Sequence, residues 1–169
     1  MNDMTVFLCG FMGCGKSTAG KLAARKLGCG FCDTDDLIVE DQGMPIPEIF
    51  AQKGEPYFRE VEARIVKEVC GKQAVVACGG GALLNPDTAA AAAKAGPVIF
   101  LDADFDTCYE RISGDSNRPI AASSTREELL ERFNTRREIY LKHSTVTVDC
   151  SGSPMQTAER IAEAARLHR

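Results

Sequence analysis

Gly10-Phe11-Met12-Gly13-Cys14-Gly15-Lys16-Ser17 satisfies the pattern GxxxxGK[ST] at every fixed position. No other feature of the chain restricts its fold so far, because the pattern works only between an apolar strand and a helix. Both flanks are present. Thr5 to Cys9 is a short apolar run, and Lys16 to Leu27 carries Ala19, Leu22, Ala23 and Leu27 on one helical face, with Gly28 as its stop. The glycines let the backbone turn its N–H groups inward around phosphate oxygens. The helix that follows presents its positive end to the same anion. Lys16 can reach the outer phosphates of ATP, and the Ser17 hydroxyl can ligate Mg²⁺. A chance glycine-rich turn would not carry these flanks. The loop leaves the acceptor open: water, protein, nucleotide and small molecule all remain.

Strand and helix patterns alternate along the rest of the chain. Phe31 to Thr34 predicts a second strand, Ala74 to Cys78 a third, Val98 to Leu101 a fourth and Thr145 to Asp149 a fifth. Between strands two and three, Asp35 to Gly71 is long and helical, interrupted at Gly43, Pro45, Pro47, Gly54 and Pro56. Asn85 caps an alanine-rich helix from Pro86, and Asp104 to Ile112 predicts another. Thr125 with Glu128, and Ser153 with Gln156, have the spacing of capping boxes; the first opens a helix to about Lys142, and Pro154 stands at the first position of the second. Strands joined by helical crossovers predict an α/β fold of three layers, a five-stranded parallel sheet with helices on both faces. At 169 residues, without a linker or repeat, the chain is expected to be a single domain.

A net charge of -4 offers no basic field for nucleic acid or an acidic membrane surface. No apolar stretch is long enough to span a membrane, Met1 to Asp3 lack positive charge, and Val6 to Cys9 is too short for a signal-peptide core, so the expected location is cytoplasmic. The eight cysteines fall mostly in apolar runs, where a free thiol packs as a small hydrophobe. Cys29-Gly30-Phe31-Cys32 is a CxxC without a second CxxC, and His143 and His168 are remote, so packing is the expectation there too. Cys14, inside the electropositive loop, is expected to be the exposed and alkylation-prone thiol.

The acceptor side is to be sought at the carboxyl ends of the strands, where open parallel sheets bind ligands. Asp33-Thr34-Asp35 closes strand two; one carboxylate can serve the Mg²⁺ shell and the other an attacking hydroxyl, unless both merely cap a helix. Gly79-Gly80-Gly81 closes strand three, and three glycines suit close backbone approach to a ligand as well as a bare turn. Arg59, Arg118, Arg136 and Arg137 are candidates for a carboxylate or phosphate, although an isolated arginine is usually a solvated one. Asp102, ending the apolar run Val98 to Leu101, has the look of a Walker B aspartate and equally of a helix cap.

The ordered set of the phosphate loop, Asp33-Thr34-Asp35, Gly54-Glu55 with Phe58-Arg59 and Glu62, Gly79-Gly80-Gly81, Arg118-Pro119, and Arg137 with Tyr140 resembles the shikimate kinase family, within the nucleoside monophosphate kinase-like P-loop group, over nearly the whole chain. The resemblance implies transfer of the ATP γ-phosphoryl group to the 3-hydroxyl of shikimate, in aromatic amino-acid biosynthesis, by a cytoplasmic monomer using Mg²⁺. It implies strand order 2-3-1-4-5, a substrate-binding segment at about 35-62 and a lid at about 113-124. Lys16, Asp35 and Arg118 would be catalytic. Gly13, Cys14, Gly15, Lys16, Ser17 and Thr18 would hold the ATP phosphates, Arg118 would close on them, and Arg111 and Pro154 would lie near the adenine. Arg59 and Arg137 would clamp the shikimate carboxylate, Asp35 and the backbone of Gly79, Gly80 and Gly81 would hold its hydroxyls, and Phe50 and Phe58 would wall the pocket. Ser17 and Asp33 would hold Mg²⁺, in preference to Asp102. The rivals are another small-molecule kinase, of gluconate or nucleoside monophosphate type, and a non-catalytic nucleotide-binding module. Neither needs two arginines and an aspartate converging on one acceptor.

Overall fold

The computed structural model describes residues 4–113 and 124–168. Five strands, β1 (Val6–Cys9), β2 (Gly30–Asp33), β3 (Ala74–Ala77), β4 (Val98–Asp102) and β5 (Val146–Asp149), form one all-parallel sheet of order β2-β3-β1-β4-β5. Seven helices flank the sheet among the described residues, the last of them after β5: α1 (Lys16–Leu27), α2 (Thr34–Gln42), α3 (Ile46–Val69), α4 (Pro86–Ala95), α5 (Phe105–Ser113), α6 (Arg126–His143) and α7 (Pro154–Leu167). The predicted sheet and its order are thus the observed ones.

The central strands are apolar throughout because both sheet faces are covered. Successive side chains point to opposite faces. Val6 and Leu8 of β1 enter one core cluster with Ala19, Ala23 and Ala24 of α1 and Ala158 and Ile161 of α7. Phe7 and Cys9 enter the other with Val66 of α3, Ala92 of α4 and Tyr140 of α6. The CxxC obeys the same rule: Cys29 and Phe31 pack with the first cluster and Cys32 with the second, so the two thiols face opposite ways and cannot share a metal. The packing reading of that motif holds.

Local signals stop and start the helices as their residues dictate. α1 ends at Gly28 in the left-handed region, with φ 68°. Asn85 caps α4 by accepting from the Asp87 and Thr88 N–H groups. Ser153 and Gln156 complete a reciprocal capping box on α7. At Thr125 the hydroxyl accepts from the Glu128 N–H, as expected of the first half of such a box. Within α3, Gly54 at φ 83° and Pro56 break the helical path and divide it in two. The outer part folds with α2 around its own small core of Ile38, Ile49, Phe58, Val61 and Ile65. This satellite carries Arg59 and Glu62 toward the ends of β2 and β3.

Candidate active site

The phosphate loop runs from β1 into α1. Gly13 and Gly15 sit at φ 81° and 91°, where a side chain would be strained, and Gly15 caps α1 without any side-chain bond. No acidic residue occupies the first turn of α1, while Arg25 and Lys26 occupy its last, so the helix end facing the loop keeps its positive character. Lys16 Nζ donates to the carbonyls of Gly10 at 2.7 Å and Phe11 at 3.1 Å, which holds the ammonium across the loop. Arg111, from the end of α5, donates to the Gly13 carbonyl at 2.9 Å. Ninety-eight positions separate the two residues, and α5 brings the guanidinium onto the loop.

Cys14 corrects the sequence expectation. It is buried, its Sγ lying 3.6 Å from Lys16 Nζ and so close to Gly10 that any side chain at position 10 would strike it. A motif tells which residues line a loop but not which side of it each thiol faces.

The end of β2 supplies the next layer. Ser17 Oγ donates to Asp33 Oδ2 at 2.6 Å, and Asp33 Oδ1 accepts from the Asp35 N–H at 2.8 Å. Asp33 therefore caps α2 and faces the loop at once, so the two roles weighed for it are compatible. Thr34 is fully buried and accepts from the Gly79 N–H at 2.9 Å, which binds the end of β3 to the start of α2. Sequence reading passed over Thr34; its position between the two aspartates was the available signal.

Each glycine of Gly79-Gly80-Gly81 is approached by a different polar side chain. A Cβ on Gly79 would meet Asp35 Oδ1 at 2.5 Å, one on Gly80 would meet Arg136 Nη1 at 3.2 Å, and one on Gly81 would overlap Arg59. The turn lacks side chains because three functional groups occupy the space they would need. Tyr140 donates its hydroxyl to the Gly80 carbonyl, and its oxygen and Arg136 Nη1 both stand at Gly80. Arg59 is held by Glu62 at 2.8 Å, and more loosely by Glu55 at 3.5 Å. Glu62 is only 3% exposed; burial pushes its carboxyl up, and the Arg59 charge offsets that only in part. Arg136 is drawn below the ordinary guanidinium range, first by burial and then by the charges of Arg132 and Arg59. The Phe50 and Phe58 rings lie 4.7 Å apart, with Arg59 over the Phe58 face.

Arg137 does not join this group. It makes a two-pronged pair with Asp102, Nε to Oδ1 at 3.1 Å and Nη2 to Oδ2 at 2.8 Å, and lines a separate pocket beyond the ends of β4 and β5 with Phe133 and Asp149. The structure does not bring the expected pair of Arg59 and Arg137 together; Arg136 is the arginine that shares the glycine turn with Arg59. Neighbouring residues on a helix point about 100° apart, so the two arginines serve different faces. The same pair occupies both carboxylate oxygens of Asp102. Asp104 sits at the α5 entry, its carbonyl accepting from the Cys108 N–H.

One open cleft of about 240 Å³ joins the phosphate loop to the glycine turn; Gly13, Gly15, Lys16, Ser17, Thr18, Asp33, Asp35, Gly79, Gly80 and Arg111 line it. Pro154 stands exposed at the first turn of α7, outside that lining. Arg118, Pro119 and all of the expected lid except Ser113 and Ser124 lie outside the described residues. Among the described residues no group of His, Cys, Asp or Glu side chains is arranged as an all-protein metal site. No helix among them is long and apolar enough to cross a membrane.

The cleft therefore brings a loop suited to a polyphosphate together with a turn suited to an anion with hydroxyl groups. Comparison with known proteins gives the family. The family model described as shikimate kinase matches residues 12–166. A shikimate kinase of Persephonella marina is 40% identical over 158 residues, spanning 92% of this chain and 95% of the relative. Another, from Geobacter sulfurreducens, is 40% identical over 165 residues, 96% of this chain and 91% of the relative. Among solved structures, shikimate kinase from Acinetobacter baumannii in complex with shikimate superposes with a TM-score of 0.89 at 30% identity, covering 95% of this chain and 92% of that one.

Proposed function

The chain belongs to the shikimate kinase family, and from that premise we propose that it transfers the γ-phosphoryl group of ATP to the 3-hydroxyl of shikimate, giving shikimate 3-phosphate for chorismate and aromatic amino-acid synthesis. The observation that carries the reading is the convergence of Asp35, Arg59 and Arg136 on one glycine turn in the cleft that holds the phosphate loop. Two cations suit a carboxylate, and an aspartate beside them suits a hydroxyl.

The residues divide the work by position. The loop N–H groups and the α1 N-terminus hold the ATP phosphates, and Lys16 exchanges its carbonyl partners for the outer ones. Ser17 and Asp33 are hard oxygen donors 2.6 Å apart and fit Mg²⁺ brought in with ATP. When bound, that ion would neutralise charge on the β and γ phosphates. Arg59 and Arg136 hold the acceptor carboxylate, with Phe50 and Phe58 as the wall and the Gly79 to Gly81 backbone beneath. Asp35 takes the hydrogen bond of the attacking hydroxyl. Its oxygen forms the new bond to phosphorus in line with the breaking bond to the β-phosphate oxygen, and the hydroxyl proton leaves to Asp35 or to the transferred group. Most of the acceleration then comes from positioning and charge neutralisation. Arg111 and Pro154 are assigned to the nucleotide side, and Arg118 to the phosphates. The enzyme acts on small molecules as a single-domain cytoplasmic monomer in this reading.

A coupled ADP-release assay with shikimate, gluconate, nucleoside monophosphates and no acceptor tests it. Shikimate alone should stimulate turnover. Stimulation by gluconate or a nucleotide instead would overturn the acceptor assignment, and a rate equal with and without acceptors would return the protein to simple nucleotide hydrolysis or binding.

A further inference from the structure

The acceptor side holds one more cation than the mechanism above uses. Arg132 lies four residues before Arg136 on α6, a spacing that stacks two side chains on one helix face, and its charge is felt at Arg136. Its Nη1 is buried with no hydrogen-bond partner; Thr88 Oγ1 is the one other such side-chain atom among the described residues. A bare buried donor on a charged group is costly, far more so than a bare hydroxyl. Such a group calls for an explanation, and a ligand that supplies the missing acceptor is one.

The charge balance points to the ligand's sign. Glu62 pairs with Arg59 and feels Arg136, Asp35 stands at the same glycine turn, and the charges of these four residues sum to zero. Glu55 also pairs with Arg59, but at 3.5 Å and with 62% of its side chain exposed it is largely screened by water. Among the described residues Arg132 adds a positive charge with no ion pair, which matches a monocarboxylate.

We propose that Arg132 is a third arginine of the acceptor site, whose unpartnered Nη1–H donates to the acceptor carboxylate beside Arg59 and Arg136 and sets the preference for an anionic acceptor. This rests on the shikimate kinase reading. The Arg132→Met and Arg132→Gln variants test it, each assayed with shikimate and with its uncharged methyl ester. Both should raise the shikimate KM about tenfold, the worth of one charge-assisted hydrogen bond, while the KM for ATP stays unchanged and the ester is used no worse than by wild type. Arg132→Met, which removes the bare donor, should also raise the thermal unfolding midpoint without ligands. A purely structural arginine would do the opposite, so a lowered midpoint with an unchanged shikimate KM overturns the proposal. Equal loss for acid and ester overturns it as well. Wild type that ignores shikimate altogether would sink the function assigned above, and that result is visible before any variant is made.

Discussion

The Tyr140 hydroxyl donates to the carbonyl of Gly80, sixty positions earlier in the chain. This bond joins α6 to the glycine turn after β3, and it places Arg136, one helical turn before Tyr140, over the same turn. Tyr140 is buried against Phe100, with ring centroids 5.4 Å apart, so its aromatic body stays packed if the hydroxyl is lost. Tyr140→Phe should cost about 1 kcal/mol of stability, the usual worth of a hydrogen bond, and should raise the shikimate KM more than the ATP KM. Denaturant unfolding and steady-state kinetics measure both.

Arg136 and Arg137 should separate cleanly. Arg136→Ala removes a cation from the acceptor turn and should raise the shikimate KM about 100-fold, near the upper range for one charged hydrogen-bonding group. Arg137→Ala breaks only the Asp102 pair, whose arginine side chain is 43% exposed, and should leave the shikimate KM within about twofold, as expected of a half-exposed ion pair. A larger effect on shikimate at position 137 than at 136 would reverse the assignment.

A methyl group at position 79 has nowhere to go without moving Asp35, whose carboxylate stands 2.5 Å from the site of the added carbon. Gly79→Ala should therefore lower kcat for shikimate phosphorylation while ATP binding, followed by fluorescence of a nucleotide analogue, is preserved. Unchanged kcat would mean that Asp35 can shift without consequence for the attacking hydroxyl.

Glu62 links the site to pH. Burial raises its carboxyl above the ordinary value of 4.5. A carboxyl raised in the folded state binds its proton more tightly there than in the unfolded chain, so this group favours folding most below 4.5, and that benefit is lost as pH rises to the folded value. Activity runs the other way, because protonation removes the partner that holds Arg59 at 2.8 Å. The shikimate KM should climb as pH falls through a point above 4.5. In Glu62→Gln that inflection should vanish, and its KM should be high at every pH.

The thiols should be mostly silent. Burial pushes Cys9 and Cys108 up to about 12, and Cys14 and Cys78 are also buried. Iodoacetamide labelling of native protein at pH 8, read by mass spectrometry, should spare these four and reach first the partly exposed Cys29, Cys32 and Cys70. Rapid labelling of Cys14 would mean that the loop opens far more than its packing against Gly10 suggests.

Much of the fold was legible because its signals are local. The observed α1 has the bounds that its apolar face and Gly28 predict, and the strands deviate by a residue at their ends, where fraying and caps compete. Asp33 illustrates the competition: it ends β2, caps α2 and meets Ser17, and sequence reading had set the last two roles against each other. The two adjacent arginines show the limit. Nothing in Arg136-Arg137 says which faces Gly80, since both lie about one turn from Tyr140. The Cys14 expectation failed, and Asp102 stayed open, for the same reason: their partners, Gly10 across the loop and Arg137 on a distant helix, are brought up by packing.

By itself the sequence determined the donor end of this protein. A contiguous loop between a strand and a helix contains its own N–H groups, lysine and hydroxyl, and short-range geometry is enough to aim them at phosphate. Only the tertiary structure decided the acceptor end. There Asp35, Arg59, Gly80 and Arg136 come from four separate segments, and which side chain arrives depends on helix phase and on how α3 and α6 pack over the sheet, quantities that no local pattern encodes.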